Sequence, residues 1–157
     1  MKILRIFQKM ERRFHVPAHP GRRRSQPQPL SAVRLAGDLA RLSDAQVRVV
    51  HVVASTATLA AVVPLEDDAQ AKVIVDEALA ALRDKGVKAD AALAHGLTTQ
   101  IATAISEAAA EFDADLIVLS PHHRGSVEAL FNPRISDAVA HASRTAVLLA
   151  PEDGTEA

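Results

Sequence analysis

From residue 30 onward the chain alternates apolar, strand-like runs with amphipathic helical segments, and this alternation limits its fold more than any other feature. Residues 30–42 place Leu30, Val33, Leu35, Leu39 and Leu42 broadly on one side, with Arg34, Asp38 and Arg41 between them, which predicts an amphipathic helix. Residues 46–53 read QVRVVHVV behind Ser43 and Asp44, a β-branched and nearly continuous run that predicts a buried strand. Residues 54–64, mostly small, read as a loop. Residues 65–85 predict a long helix, with Glu66, Asp67 and Asp68 at its start, Arg83 and Lys85 at its end, and Gly86 to stop it. Both charge placements complement the helix dipole. A weaker strand at 87–94 and an alanine-rich helix at 98–112 follow. Then come a short apolar strand at 115–119 (DLIVL), a polar loop at 120–133, a helix at 134–143 and a last strand at 145–150 before Pro151.

Strands that alternate with helices pair in parallel through right-handed crossovers. Helices must then cover both faces of the sheet, which explains why the strands are apolar throughout rather than alternating. In such folds ligands bind beyond the C-terminal ends of the strands, so the loops after Val53, Ala94 and Leu119 are the ones to inspect.

The 157 residues suit one domain, and a 48% hydrophobic content is too apolar for wholesale disorder. With no cysteine, disulfides, thiolate catalysis and Cys-type zinc sites are excluded. With no Trp or Tyr, an aromatic platform for single-stranded nucleic acid is not expected. No apolar run reaches the length of about 20 residues that a membrane-spanning helix needs.

Charge divides the chain. Residues 1–25 hold eight basic residues (Lys2, Arg5, Lys9, Arg12, Arg13, Arg22, Arg23, Arg24) against Glu11 alone, and the rest holds ten basic residues against eighteen acidic ones. Three parts follow: a basic, Pro- and Arg-rich arm at 1–29, a folded domain at 30–151 and an acidic tail at 152–157. Pro17, Pro20, Gly21, Pro27 and Pro29 give the arm the composition of a linker. Ile3, Phe7, Met10 and Phe14 recur at helical spacing among basic residues, which suits a surface-seeking helix or an Arg-rich transit peptide. Arg22, Arg23 and Arg24 suit a phosphate contact. A solvated tail is the reading preferred over all three.

Several stretches resemble, in order, those of the universal stress protein family. Asp113–Leu119 (DADLIVL) followed by SPHHRG at 120–125 carries the resemblance most strongly. Residues 31–42 are similar to the family's first helix, Val49-Val50-His51-Val52-Val53 to its second strand, 96–101 to the helix start after its third strand, and 136–149 to its final helix and strand. The resemblance covers residues 30–151 and implies an α/β fold: a three-layer, doubly wound, parallel five-stranded sheet of order 3-2-1-4-5. That fold is Rossmann-like and similar to the adenine nucleotide alpha hydrolases. The family further implies a stress-associated regulatory or protective protein, not an enzyme of settled reaction. It also implies a cytoplasmic location and a homodimer, here through the last-strand residues Val147, Leu148 and Leu149. Other protein partners are left unnamed, and no specific nucleic acid is expected.

One branch of the family binds ATP through a glycine-rich loop, in which backbone N–H groups approach phosphate unobstructed by a Cβ. Here Ser120 and His123 stand at the two loop glycine positions and Pro133-Arg134 at the glycine-serine pair. Proline lacks the N–H the loop would use. Only Ser136 matches a further family serine. The adenine-side aspartate after the first strand falls near Arg24, a charge reversal. Two readings stay open. The chain belongs to the branch that does not bind ATP in the usual way, with no cofactor implied. Alternatively, Ser120, His122, His123, Arg124, Arg134 and Ser136 form a different anion or nucleotide loop, with Val52 on the adenine side and ATP or another adenine nucleotide as ligand.

The first strand should form the centre of the sheet. Lys2 to Phe7 is preferred for it over residues 14–18, where Pro17 disfavours a central strand. The departure fits either a divergent or a misassigned start of the chain. Of the seven histidines, His122 and His123 are adjacent, and His51 and His95 lie on other strands, so no metal site is expected. His51 is read as a hydrogen-bonded core residue near the sheet end, and His141 as structural. No Gly-x-Ser-x-Gly elbow, Walker-type loop or His-x-Gly-His loop is present.

Overall fold

A computed structural model describes residues 1–7, 30–120 and 135–150. Its elements run β1 (Lys2–Phe7), α1 (Ser31–Ser43), β2 (Gln46–Ala57), β3 (Val62–Pro64) and α2 (Asp68–Asp84). They continue with β4 (Ala89–Leu97), α3 (Ile101–Phe112), β5 (Leu116–Leu119), α4 (Ile135–Ala142) and β6 (Ala146–Leu149).

Five strands pair in parallel, with β4 on β2, β2 on β1, β1 on β5 and β5 on β6. β1 is therefore the centre, with Phe7 opposite His51 and Ile6 opposite Leu119. Residues 14–18, the other segment considered for this strand, lie outside the described residues. The short β3 adds a sixth, antiparallel strand to β2.

Alternation along the buried strands sorts their side chains into two layers. Val47 and Val49 of β2 and Val118 of β5 pack with Ala32, Val33 and Ala36 of α1 and with Ala78, Leu79 and Leu82 of α2. Val50, Val52 and Ala54, with Ile117 and Leu119, pack against Ile101, Ile105 and Ala109 of α3 and Val139 of α4. Burying each large aliphatic side chain in these layers stabilises the fold by about 1.5–3 kcal/mol. The sheet is thus covered on both faces, as its apolar strands require.

The helices end where local chemistry tells them to. α1 stops at Asp44, whose φ of 49° is left-handed, and α3 stops at Asp113 with a φ of 54°. α2 begins at Asp68 and is capped by Asp67, whose side chain accepts the Gln70 N–H at 2.8 Å. It therefore starts three residues later than residue 65, the start its acidic run suggests. Pro64 ends β3 just before, and Glu66 is used elsewhere. Residues 54–64, expected as a loop, instead prolong β2 to Ala57 and turn back into β3. Thr58 closes this turn, its hydroxyl and N–H both meeting the Ala61 carbonyl.

Candidate functional site

Two strands side by side at the centre send the chain to opposite faces. β1 leads toward α1 in one layer, and β5 leads toward α4 in the other. The crevice between their C-terminal ends is where a doubly wound sheet receives ligands.

On one flank of that crevice stands Ser120, the residue after β5. Its Oγ is buried and has no hydrogen-bond partner among the described residues. Such a hydroxyl costs free energy until something pairs with it. Ser136 lies in the first turn of α4, half-buried. His122, His123, Arg124 and Arg134, the other expected members of this loop, lie outside the described residues.

On the other flank is the edge of β2. The Gln46 N–H donates to the Met1 carbonyl just before β1, and the Ala54 carbonyl accepts from Leu65, so the even-numbered residues of β2 turn their main-chain groups toward the β1 side. The odd-numbered ones turn toward β4, as Val47 N–H to Lys88 and Ser55 carbonyl from Thr98 show. The Phe7–His51 pairing is closed by the Val52 N–H donating to the Phe7 carbonyl, so the main-chain groups of β2 that face the β1 side beyond Phe7 are the Val52 carbonyl and the Ala54 N–H. The Val52 side chain is fully buried among the α3 and α4 side chains, so its carbonyl is all this residue offers a ligand. Strands spaced about 4.8 Å apart put the Val52 edge and Ser120 roughly 10 Å from each other across the end of β1.

β3 bounds this edge from above. Ser55 is in register with Leu97 of β4 and with Pro64 of β3, so those strands lie on opposite edges of β2 and β3 shares the β1 edge. Three residues, Val52 to Ala54, separate the register of Phe7 from that of Pro64. The Ala54 carbonyl is taken by Leu65 N–H at 2.9 Å.

His51, directly opposite Phe7, is fully buried on the α1–α2 face. Its Nε2–H donates to the Glu66 carboxylate at 2.5 Å, while Nδ1 has no partner among the described residues. A carboxylate only accepts, so the proton shared with Glu66 is assigned to Nε2. His51 is thus a hydrogen-bonded core residue. Sequence reasoning missed its partner, because Glu66 reads equally well as a first-turn acid. His141 donates from Nδ1 to the Asp137 carbonyl at 2.8 Å within α4. His95 stands 3.9 Å from Asp68 on the exposed surface. Among the described residues no group of three or more His, Asp or Glu side chains is placed to hold a metal ion. No described helix is long and apolar enough to cross a membrane.

A model of the universal stress protein family matches residues 24–151. The chain belongs to that family. Its fold is shared by solved universal stress proteins, though at identities that speak for fold alone. A universal stress protein from Archaeoglobus fulgidus superposes with a TM-score of 0.65 at 20% identity, over 96% of this chain and 93% of that one. The universal stress protein from the same organism in complex with dAMP gives 0.64 at 19% identity, over 96% and 98%. A universal stress protein in complex with cAMP gives 0.62 at 19% identity, over 94% of each chain. No curated protein sequence matches. The α/β class expected from strand-helix alternation is the class of this universal stress protein, with β3 as an addition.

Proposed function

We propose that this universal stress protein is a cytoplasmic, stress-associated regulatory or protective protein whose central crevice takes an adenine nucleotide without a glycine-rich phosphate loop. The observation that carries this reading is the buried Ser120 hydroxyl, unpartnered among the described residues, at the switch point across the end of β1 from the Val52 carbonyl. A flat heterocycle with adjacent donor and acceptor groups matches the Val52 carbonyl and the Ala54 N–H on this edge. A sugar or phosphate oxygen matches Ser120 and, at the start of α4, Ser136. The dAMP and cAMP named with the similar structures lend support by analogy of fold. His122, His123, Arg124 and Arg134 would supply the charge that the missing glycines do not.

Mass spectrometry of what co-purifies with the protein, then calorimetric titration with AMP and ATP, tests this. Saturable binding is expected, weakened about tenfold by Ser120→Ala, the loss of one hydrogen bond. Absence of both co-purified nucleotide and heat overturns it and places the chain in the branch that does not bind ATP.

The proposal includes a homodimer through β6. That strand pairs only with β5 among the described residues, and Leu149 is exposed while Val147 and Leu148 are half-buried against the core. An edge of this composition favours pairing with a second copy. Light scattering at high micromolar concentration should report twice the monomer mass; a monomer there overturns this part.

A further inference from the structure

The segment from Ala57 to Gln70 is solvent-exposed at every residue except Glu66. Val62, Val63 and Leu65 all remain exposed, so the β2–β3 hairpin sends no apolar side chain into the core. Among the described residues it is held by the three-residue ladder with β2, the Leu65-to-Ala54 hydrogen bond, and the Glu66 carboxylate on His51. Only the last is buried, with side-chain exposures of 9% for Glu66 and 0% for His51.

We propose that Glu66 and His51 form a buried tether that holds the hairpin beside the β2 edge at Val52 and Ala54 and thereby sets the affinity of the crevice for its ligand. This inference rests on the reading of that crevice as a nucleotide site. His51 is anchored in the longest strand, opposite the last residue of β1. Glu66 is the link between Pro64 of β3 and the Asp67 cap of α2. A hydrogen bond to a carboxylate in a site this dry is stronger than its exposed equivalents. It pulls the base of the hairpin inward at one point. From there Leu65 N–H reaches Ala54, two residues beyond Val52. Releasing Glu66 leaves a short ladder with no apolar anchor, which must open locally more often. Glu66 and His51 act here as positioning residues, since neither is placed to touch the ligand.

Amide hydrogen exchange of the full chain without nucleotide, followed by AMP titration, tests the tether. In Glu66→Ala the Leu65 and Thr58 amides should exchange at least tenfold faster. The Thr98 amide, bonded to Ser55 on the opposite edge of β2, should keep its wild-type rate and so report that the domain stays folded. AMP should bind more weakly in the same variant. Glu66→Gln retains the Oε1 acceptor, so its Leu65 exchange should lie between wild type and Glu66→Ala. Unchanged Leu65 and Thr58 exchange in Glu66→Ala overturns the tether. So does exchange in Glu66→Gln equal to that of Glu66→Ala. Faster exchange with unchanged AMP affinity overturns its hold on the crevice. Failure of the wild-type protein to bind AMP overturns the nucleotide reading instead, while the exchange data still decide the tether.

Discussion

A Cβ placed on Gly37 would stand 3.2 Å from Cδ2 of Leu82, which makes this glycine the contact point of α1 and α2. The Cδ of Lys85 would lie at 3.0 Å on the other side. Two terms oppose each other on substitution. Alanine gains about 1 kcal/mol of helix propensity over glycine. It also crowds Leu82, which is fully buried, and displaces Lys85 from its contact with Asp38. Gly37→Ala should therefore leave the unfolding free energy within about 1 kcal/mol of wild type. Gly37→Leu gains similar propensity but crowds Leu82 and Lys85 far more, and should cost about 1–3 kcal/mol. Urea unfolding of both variants checks this, and equal midpoints would mean the helices are not in contact here.

Left-handed backbone at Gly86 and Asp44 separates local strain from packing. Gly86 has a φ of 73°, and a Cβ added there would meet nothing within 4 Å, so space is not the obstacle to substitution. Gly86→Ala should cost about 1 kcal/mol from backbone conformation alone. Asp44, at a φ of 49°, carries a Cβ in the same conformation. Asp44→Gly should gain several tenths of a kcal/mol, reduced by the entropy glycine adds to the unfolded chain. Thermal unfolding should move in opposite directions for the two variants.

The same contrast between local and distant causes explains what could be read from the residues alone. The runs at 46–53 and 115–119 were legible because both faces of those strands are covered, so almost every position is apolar. Lys2 to Phe7 was legible by composition, even though residues 8–30 separate it from α1. β3 was not legible: three exposed residues owe their strand geometry to pairing with Ser55, Thr56 and Ala57, and burial leaves no pattern in them. Ser120 and Ser136 could be singled out through the family resemblance. The partnership of His51 with Glu66 could not, because it joins residues fifteen apart and Glu66 already had a plausible local role. The uncharged stretch from Val49 to Leu65 was the available signal that the segment is unusual, and it says nothing of what holds it.

Arg48 illustrates how little an exposed ion pair contributes beside packing. Its guanidinium meets Asp90 through two hydrogen bonds of 2.8 and 2.6 Å and lies 4.4 Å from the Phe112 ring centroid. The hydrogen bond to Asp90 is the main cause holding its pKa above the ordinary value, against a smaller opposing effect of burial. The side chains are 31% and 54% exposed, so solvent screens the pair. Asp90→Asn should cost less than about 1 kcal/mol, and high salt should shrink that difference. Arg48→Ala also uncovers Phe112 and should cost more than Asp90→Asn. Guanidinium chloride would mask the salt effect, so urea with and without added sodium chloride is the measurement.

The buried pair allows a sharper test of the same principle. Removing one partner leaves the other desolvated with nothing to bond, whereas removing both leaves only a packing problem. His51→Leu strands the Glu66 carboxylate, which is 9% exposed, and should destabilise the domain by about 3 kcal/mol or more. Glu66→Leu strands the imidazole Nε2–H of the fully buried His51 and should cost about 1–3 kcal/mol. In the double variant both unpaired polar groups are gone, so its loss should fall well below the sum of the two single losses. A double-mutant cycle from urea unfolding gives the coupling directly. Strict additivity would mean that His51 and Glu66 do not bond in solution, and the tether between the hairpin and the sheet would fall with them.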